Sequence, residues 1–445
     1  MKLKKAICMA LTALFTATAF AACGGTDLPD DPDDPVDQTE AFEVYHNVTN
    51  FSLNDSNADP FEIKGEGDGT GKMLTVFDEK TPVKIPESKP EKEVDFSNYT
   101  YLNDVSSSDF FGTASTIVIY YDKSVSGEKT KAQNAVENIR QKVSNMERLL
   151  STANPDSDIS RFNRAGAGET VQIDAITYDA ILRTQELFAF TDGAYNPAVS
   201  LLVDLWGFSP RFLNFSPESE SKPYDRKNFR TELPDQKYID AFLQLSDYEN
   251  VKLSQKDGKY FVTKSESSVT VDGVEYTMQI DLGGYGKGLA ADIAQEEMKE
   301  SGFEYGYSNF GSSSLYLMKA PKMTVENAGA FDFGVSLTYP SPIDSLLGIT
   351  YGKTYGHDAG VSTSGNYENY YVIDGVEYCH ILSPETGAPI RTNICAATIM
   401  GGSAADNDAL TTALCVMGKE KAIAFVNEKL TDKSVIFVYH REATK

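Results

Sequence analysis

The stretch that most constrains this chain is Asp281-Leu-Gly-Gly-Tyr-Gly-Lys-Gly288, which runs on into Leu-Ala-Ala-Asp292. Four glycines in eight residues let the backbone approach a neighbour or a ligand where any side chain would clash. A strand-like run over 276–280 enters it, and an alanine-rich helical pattern over 289–300 leaves it. A strand, a glycine turn and a helix start form a natural anion cradle, because free N–H groups and the helix dipole face the turn. Lys287 adds a positive charge and Asp281 a carboxylate. The same residues also describe a tight β-to-α turn with a surface lysine, and the stretch alone does not choose between the two. Neither GxxxxGK[ST] nor GxGxxG is present, since Gly288 follows the lysine, so a P-loop and an ordinary dinucleotide fold are excluded.

The net charge of -25 over 445 residues argues against nucleic acid as a partner, because an acidic surface repels polyphosphate. A phosphate ligand must then meet locally concentrated positive charge or a metal. Length allows one large domain or two. Lys2, Lys4 and Lys5 precede an apolar run over 6–22 and small residues before Cys23, the pattern of a secretory signal peptide over residues 1–22. Phe20-Ala-Ala-Cys23 resembles a bacterial lipobox with phenylalanine in place of leucine. That resemblance implies cleavage before Cys23, a lipid on its thiol, and an extracytoplasmic protein anchored to the bacterial membrane. Cys379, Cys395 and Cys415 show no CxxC and no metal-like spacing, so they read as buried core thiols.

Residues 23–40 are acidic and proline-broken and read as an extended, flexible tether that cannot bury apolar surface. Residues 41–100 read as an irregular extension, although 41–53 could hold a strand. The main domain, 101–445, begins near Tyr101. Within it, 114–121 reads as a strand and 129–150 as a helix with Ala135, Ile139, Val143, Met146 and Leu150 on one face. A second helix is expected over 175–191, and a charged surface insertion over 211–236. Hairpins are expected around Asp257-Gly258, Asp272-Gly273 and Asp374-Gly375. Further strands fall near 306–317, 330–337 and 395–400, with helices over 406–417 and 419–429. Strands and helices mix without strict βαβ alternation, which predicts an α+β fold.

Four further stretches carry possible chemistry. On a helix, Asp408 and Thr412 share one face and supply hard oxygens suited to Mg²⁺, or equally a helix-terminal acid beside a core threonine. Tyr378-Cys-His-Ile-Leu-Ser-Pro-Glu-Thr-Gly-Ala-Pro389 places His380 at a strand end before a turn. Thr363-Ser-Gly-Asn-Tyr-Glu368 reads as a hydroxyl-rich turn. Tyr195 in Thr191-Asp-Gly-Ala-Tyr-Asn-Pro197 and Trp206 in Leu205-Trp-Gly-Phe208 are aromatics near turns, fit either for stacking on a planar ring or for packing.

Together and in order, these stretches resemble the ApbE-type FAD:protein FMN transferase family. Phe111-Gly-Thr113 is similar to its "mGT", Leu150-Ser-Thr152 with Asp156 to Asn163 to "lSt…dSelsrlN", and Thr191 to Pro197 to "TdGaFDp". Leu205 to Phe208 resembles "lWGF", Asp281 to Gly288 "DLGGiaKG", Thr363 to Tyr367 "TSGdY", His380 to Pro389 "HIiDPrTGyP", and Asp408 to Leu414 "DAlaTal". The resemblance implies Mg²⁺-dependent transfer of FMN from FAD to a threonine or serine hydroxyl of an acceptor protein, with AMP leaving. It implies Asp408, Thr412 and the Gly284 carbonyl as Mg²⁺ ligands. Phe111, Ala194, Tyr195, Asn196, Asp281, Lys287 and Ile381 are implied as FAD contacts, and His380 as the group that takes the proton of the acceptor hydroxyl. The implied acceptor is a redox protein with a Ser/Thr-Gly-Ala-Thr/Ser-like motif, which this chain itself lacks.

Some positions depart from the family pattern. Asn196 and Ser383 stand where it has aspartates, Ser312 and Ser313 where it has Gly-Asp, and Tyr285 where it has a small aliphatic residue. Two alternatives share the same residues: Mg²⁺-dependent hydrolysis of FAD to FMN and AMP, and a flavin-binding surface lipoprotein without catalysis.

Overall fold

The computed structural model describes residues 42–47, 51–53, 74–77, 94–209, 232–321, 331–338, 350–367 and 369–440. The stretches read as a signal peptide over 1–22 and an acidic tether over 23–40, with Cys23, and most of the 211–236 insertion lie outside the described residues.

Alternating apolar residues build a nine-stranded mixed sheet. Its order is Leu74–Phe77, Phe42–His46, Ser434–His440, Ile394–Met400, Ala359–Gly365, Ser314–Leu317, Gly306–Phe310, Thr113–Asp122 and Tyr99–Phe110. Its pairings are antiparallel except that between Phe42–His46 and Leu74–Phe77. One face of this sheet carries the helices. Glu128–Leu150 turns Ala135, Ile139, Val143, Met146 and Leu150 into the core, the face expected from their spacing. Gly283–Glu300 packs against that helix and Ala404–Met417 against Gly283–Glu300, both on the middle strands. This is the α+β architecture that the pattern predicted.

A second, aromatic cluster stands apart from the main core. Ser200–Leu205, Gln236–Leu243 and the hairpins Ser268–Val271/Val274–Thr277 and Tyr370–Ile373/Val376–Cys379 bury Trp206, Tyr238, Phe242, Leu382 and Tyr378 together. The three cysteines are free and buried, as expected.

The structure departs from the expectations in three places. The 41–100 stretch, read as irregular but for a possible strand over 41–53, holds that strand as Phe42–His46, which pairs with Ser434–His440 and stacks Tyr45 on Phe437 at 4.5 Å, and adds a strand where none was expected, Leu74–Phe77. The partner of Phe42–His46 lies at the far end of the sequence, so local pattern gives the strand but not its pairing. Thr363 and Ser364, read as a turn, end the strand Ala359–Gly365 and pair with Ile394–Met400. The helix after the glycine stretch begins at Gly283 and so takes in the glycines themselves. None of Gly283, Gly284, Gly286 and Gly288 has a positive φ. Glycine is needed at Gly288 for close approach, not for a left-handed turn.

Candidate active site

The site is built where two helices touch backbone to backbone. A Cβ on Gly288 would stand 2.3 Å from the carbonyl oxygen of Ala404, so no side chain fits at the crossing. One turn later, the Asp292 carboxylate accepts the Ser403 hydroxyl at 2.6 Å and the N–H groups of Ala404 and Ala405 at 2.8 and 3.0 Å. It thereby satisfies the donors that the first turn of Ala404–Met417 leaves open. Burial pushes the Asp292 carboxyl up, and those three donors pull it back. Arg183 adds a two-pronged clamp on Asp406 at 2.9 and 2.6 Å. Asn407 ties the same helix to the carbonyls of Gly360 and Gly401, both at 2.9 Å.

This crossing brings Asp408, Thr412, Gly284 and Lys287 together. Asp408 Oδ2 accepts the Gly288 N–H at 3.2 Å, and Lys287 Nζ lies 3.9 Å away. Thr412 Oγ1 donates to the Asp408 carbonyl at 3.2 Å and lies 3.2 Å from Ser364 Oγ, which also meets Thr411 Oγ1 at 2.9 Å. Gly284 has non-helical angles, φ −81° and ψ 17°, which tilt its peptide off the helix axis. A Cβ there would reach to 3.7 Å from Thr412 Oγ1. One carboxylate, one hydroxyl and one displaced carbonyl are hard oxygens, too few to enclose a cation alone. That suits Mg²⁺, which keeps waters and takes phosphate oxygens as its remaining ligands. Among the described residues no cluster of three His, Cys, Asp or Glu competes for a metal.

Around this group the other expected contacts fall into two sets. Phe111 has φ 52°, its N–H is held by Glu147 Oε1 at 2.7 Å, and its ring edge would meet a Cβ on Gly286 at 3.2 Å. Asp281 Oδ1 accepts the Gly283 N–H at 2.8 Å, and the Asp281 N–H donates to the Pro197 carbonyl at 2.9 Å, joining the glycine stretch to the 191–197 turn. Within that turn, Ala194 is half-buried and Tyr195 lies buried against Gly284. The Asn196 side chain is engaged by protein: Oδ1 accepts the Ala198 N–H and Nδ2 donates to the Ser246 carbonyl, both at 2.8 Å. An aspartate could not make the second bond, which gives this departure a structural reason. Tyr285 fills the core near the Arg183–Asp406 pair, whose charges act on its phenol.

His380 follows the strand Val376–Cys379 and is half-buried. Burial pulls its imidazole down to about 4, the Asn369 carbonyl opposes this, and the nearby Lys287 ammonium adds to the depression. The ring is therefore neutral at physiological pH. Nδ1 stands 3.3 Å from the Asn369 carbonyl, which can only accept, so the proton sits on Nδ1 and Nε2 keeps its lone pair. Ile381 is buried, and its carbonyl accepts the Ile390 N–H at 2.9 Å. Ser383 closes the Pro-Glu-Thr-Gly turn through its hydroxyl and backbone. Trp206 packs: it stacks on Tyr378 at 5.6 Å, and its indole N–H donates to the Gly387 carbonyl at 2.8 Å. Ser312, with φ 56°, donates its N–H to Asn309 Oδ1 at 3.0 Å, and the Ser313 carbonyl accepts the Thr363 N–H at 2.8 Å.

Sequence reasoning missed the supports behind the glycine stretch. Asn163 brackets Ile280, accepting its N–H and donating to its carbonyl, both at 2.9 Å. Buried Lys264 donates to the carbonyls of Asn163 and Ala165 at 2.9 and 2.8 Å, and burial pulls its ammonium down to about 8. Asp292 also went unassigned, although its place one turn after Gly288 was a usable signal.

The family model for the ApbE family matches residues 111–437, nearly the whole span that builds this site. The chain belongs to the ApbE family. The FAD:protein FMN transferase of Escherichia coli K12 is 26% identical over 308 residues, 69% of this chain and 78% of that protein. That of Vibrio cholerae is 25% identical over 76% of this ApbE-family chain and 85% of its own. Among solved structures, the flavin transferase ApbE from Vibrio cholerae superposes with a TM-score of 0.57 at 22% identity, covering 77% of this chain and 98% of that one. The ApbE protein from Thermotoga maritima gives 0.58 at 24%, covering 77% and 97%. These likenesses establish the ApbE fold.

Proposed function

We propose that this chain is an FAD:protein FMN transferase that moves the FMN part of FAD to a threonine or serine hydroxyl of an acceptor protein and releases AMP. The observation that carries the reading is the convergence of Asp408, Thr412, Gly284 and Lys287 at one helix crossing, in a chain whose family relatives carry that activity by name. Asp408, Thr412 and the Gly284 carbonyl would hold Mg²⁺, which when bound would neutralise charge on the pyrophosphate. Lys287 adds a second positive charge beside it. Neutral His380 takes the proton of the acceptor hydroxyl at Nε2, as its hydrogen bond through Nδ1 fixes the tautomer. The hydroxyl oxygen bonds to the FMN-side phosphorus as the bond to the AMP oxygen breaks.

The acceptor we propose is a redox protein with a Ser/Thr-Gly-Ala-Thr/Ser-like motif. We further propose that Cys23 carries a lipid holding the enzyme at the extracytoplasmic face of the membrane. Among the described residues no helix is long and apolar enough to cross a membrane. Replacing Cys23 with alanine should move the protein from the membrane fraction to the soluble one.

Incubation with FAD, Mg²⁺ and a flavin-acceptor protein tests the activity. Covalent flavin on the acceptor supports transfer. AMP and FMN without it would mean hydrolysis, and unaltered bound FAD would mean a binding protein.

A further inference from the structure

Tyr195 is the most conspicuous polar group that the site leaves without work. The residue is 4% exposed, and its hydroxyl is covered yet has no hydrogen-bond partner. Its N–H is held by Thr191 Oγ1 at 3.1 Å, so the turn that carries it is fixed. The nearby Tyr248 hydroxyl is already paired with Thr184 Oγ1 at 2.8 Å. The ring edge of Tyr195 would stand 3.5 Å from a Cβ on Gly284, beside which Thr412 Oγ1 also lies. The Tyr195 ring therefore borders Gly284 and Thr412, two of the three residues assigned to the cation.

A buried hydroxyl without a partner destabilises a fold, and phenylalanine would fill the same ring space without that cost. The family motif that Thr191 to Pro197 resembles has phenylalanine at this position. The hydroxyl thus gains nothing from the described protein groups, and what can repay it must enter with the ligand. A tyrosine hydroxyl is protonated at neutral pH and is therefore a donor. A donor beside Gly284 and Thr412 suits an electron-rich oxygen, either of a phosphate or of a water in the cation's shell.

We infer that the Tyr195 hydroxyl is an additional binding group of this site, donating a hydrogen bond to an oxygen of the hydrated cation–pyrophosphate assembly. The inference rests on the flavin reading above and assigns the hydroxyl, not the ring, as the contact. The test compares the wild-type protein with Tyr195→Phe by thermal unfolding without ligand and by titration with Mg²⁺ alone, with FAD in EDTA, and with FAD plus Mg²⁺. The unliganded variant should melt at the same temperature or higher. Its affinity for FAD with Mg²⁺ should fall about fivefold to tenfold, the worth of one buried hydrogen bond. A loss already present in EDTA places the partner on the phosphate, and a loss with Mg²⁺ alone places it on the metal's water. Unchanged affinity in every arm would overturn the inference, as would a lower melting temperature with unchanged affinity. If the wild-type protein bound no FAD, the flavin reading itself would fall, and this inference with it.

Discussion

The helix crossing at Gly288 and the aromatic cluster around Trp206 both position site residues, but by different physical means. At the crossing the contact is backbone against backbone, secured by the Asp292 cap and the Arg183 clamp. Little there can shift, because the start of Ala404–Met417 has its donors already engaged where Gly288 meets it. In the aromatic cluster the contacts are ring faces: Trp206 on Tyr378, and Phe208 on Tyr371 at 5.2 Å. A few polar ties, such as that from Trp206 to Gly387, set the register. The difference assigns them different tasks. In the proposed function the crossing holds the oxygens that would meet a small, geometrically demanding cation. The aromatic side carries His380, whose partner would be a protein hydroxyl brought from outside.

If that division is right, the largest effect belongs to the crossing. Asp408→Ala should lower Mg²⁺-dependent turnover by roughly a thousandfold or more, the scale of several kcal/mol of charge stabilisation, while circular dichroism stays native. Full turnover in that variant would remove the metal from this place. Gly288→Ala should destabilise the fold by about 3 kcal/mol or more in urea unfolding, since its methyl must push two helices apart. Stability close to wild type would show that the crossing is soft and would end the contrast with the aromatic side.

Trp206→Phe should cost about 1–2 kcal/mol, because the Gly387 carbonyl loses its buried donor. The Mg²⁺ dependence of turnover should stay as in wild type; a raised Mg²⁺ requirement would tie the two regions together. The last effect concerns pH. His380 titrates near 4 in the folded chain against 6.5 in the unfolded one, so the unfolded state takes up its proton first as pH falls. This histidine therefore removes stability between 6.5 and about 4 and contributes none of the change above 6.5. A His380→Gln variant should flatten that part of the stability–pH curve, measured by denaturant unfolding; an unaltered curve would place the imidazole in water.

The motifs were legible because each is local. The glycine stretch, the Asp408/Thr412 spacing and the strand-end His380 could be marked without coordinates, since helix and strand periodicity place neighbours on a face. The long helix Glu128–Leu150 and the hairpins at Asp257, Asp272 and Asp374 follow from local pattern for the same reason. What local pattern cannot show is a partner far off in the sequence. Phe42–His46 is a strand of the main sheet because Ser434–His440 receives it, and Asn196 differs from aspartate because the Ser246 carbonyl needs a donor.

By itself, then, the sequence determined the chemistry on offer: hard oxygens, a lysine beside glycines, one histidine before a turn, and an order of motifs that belongs to a single family. The tertiary structure decided what the glycines are for. They read as a turn, either an anion cradle or a plain β-to-α turn, yet they lie inside a helix without positive φ values, and Gly288 is glycine because Ala404 passes against it. Only the meeting of two distant helices could settle this, since local sequence specifies which conformations a residue tolerates, whereas its neighbours in space specify which atoms it has room to carry.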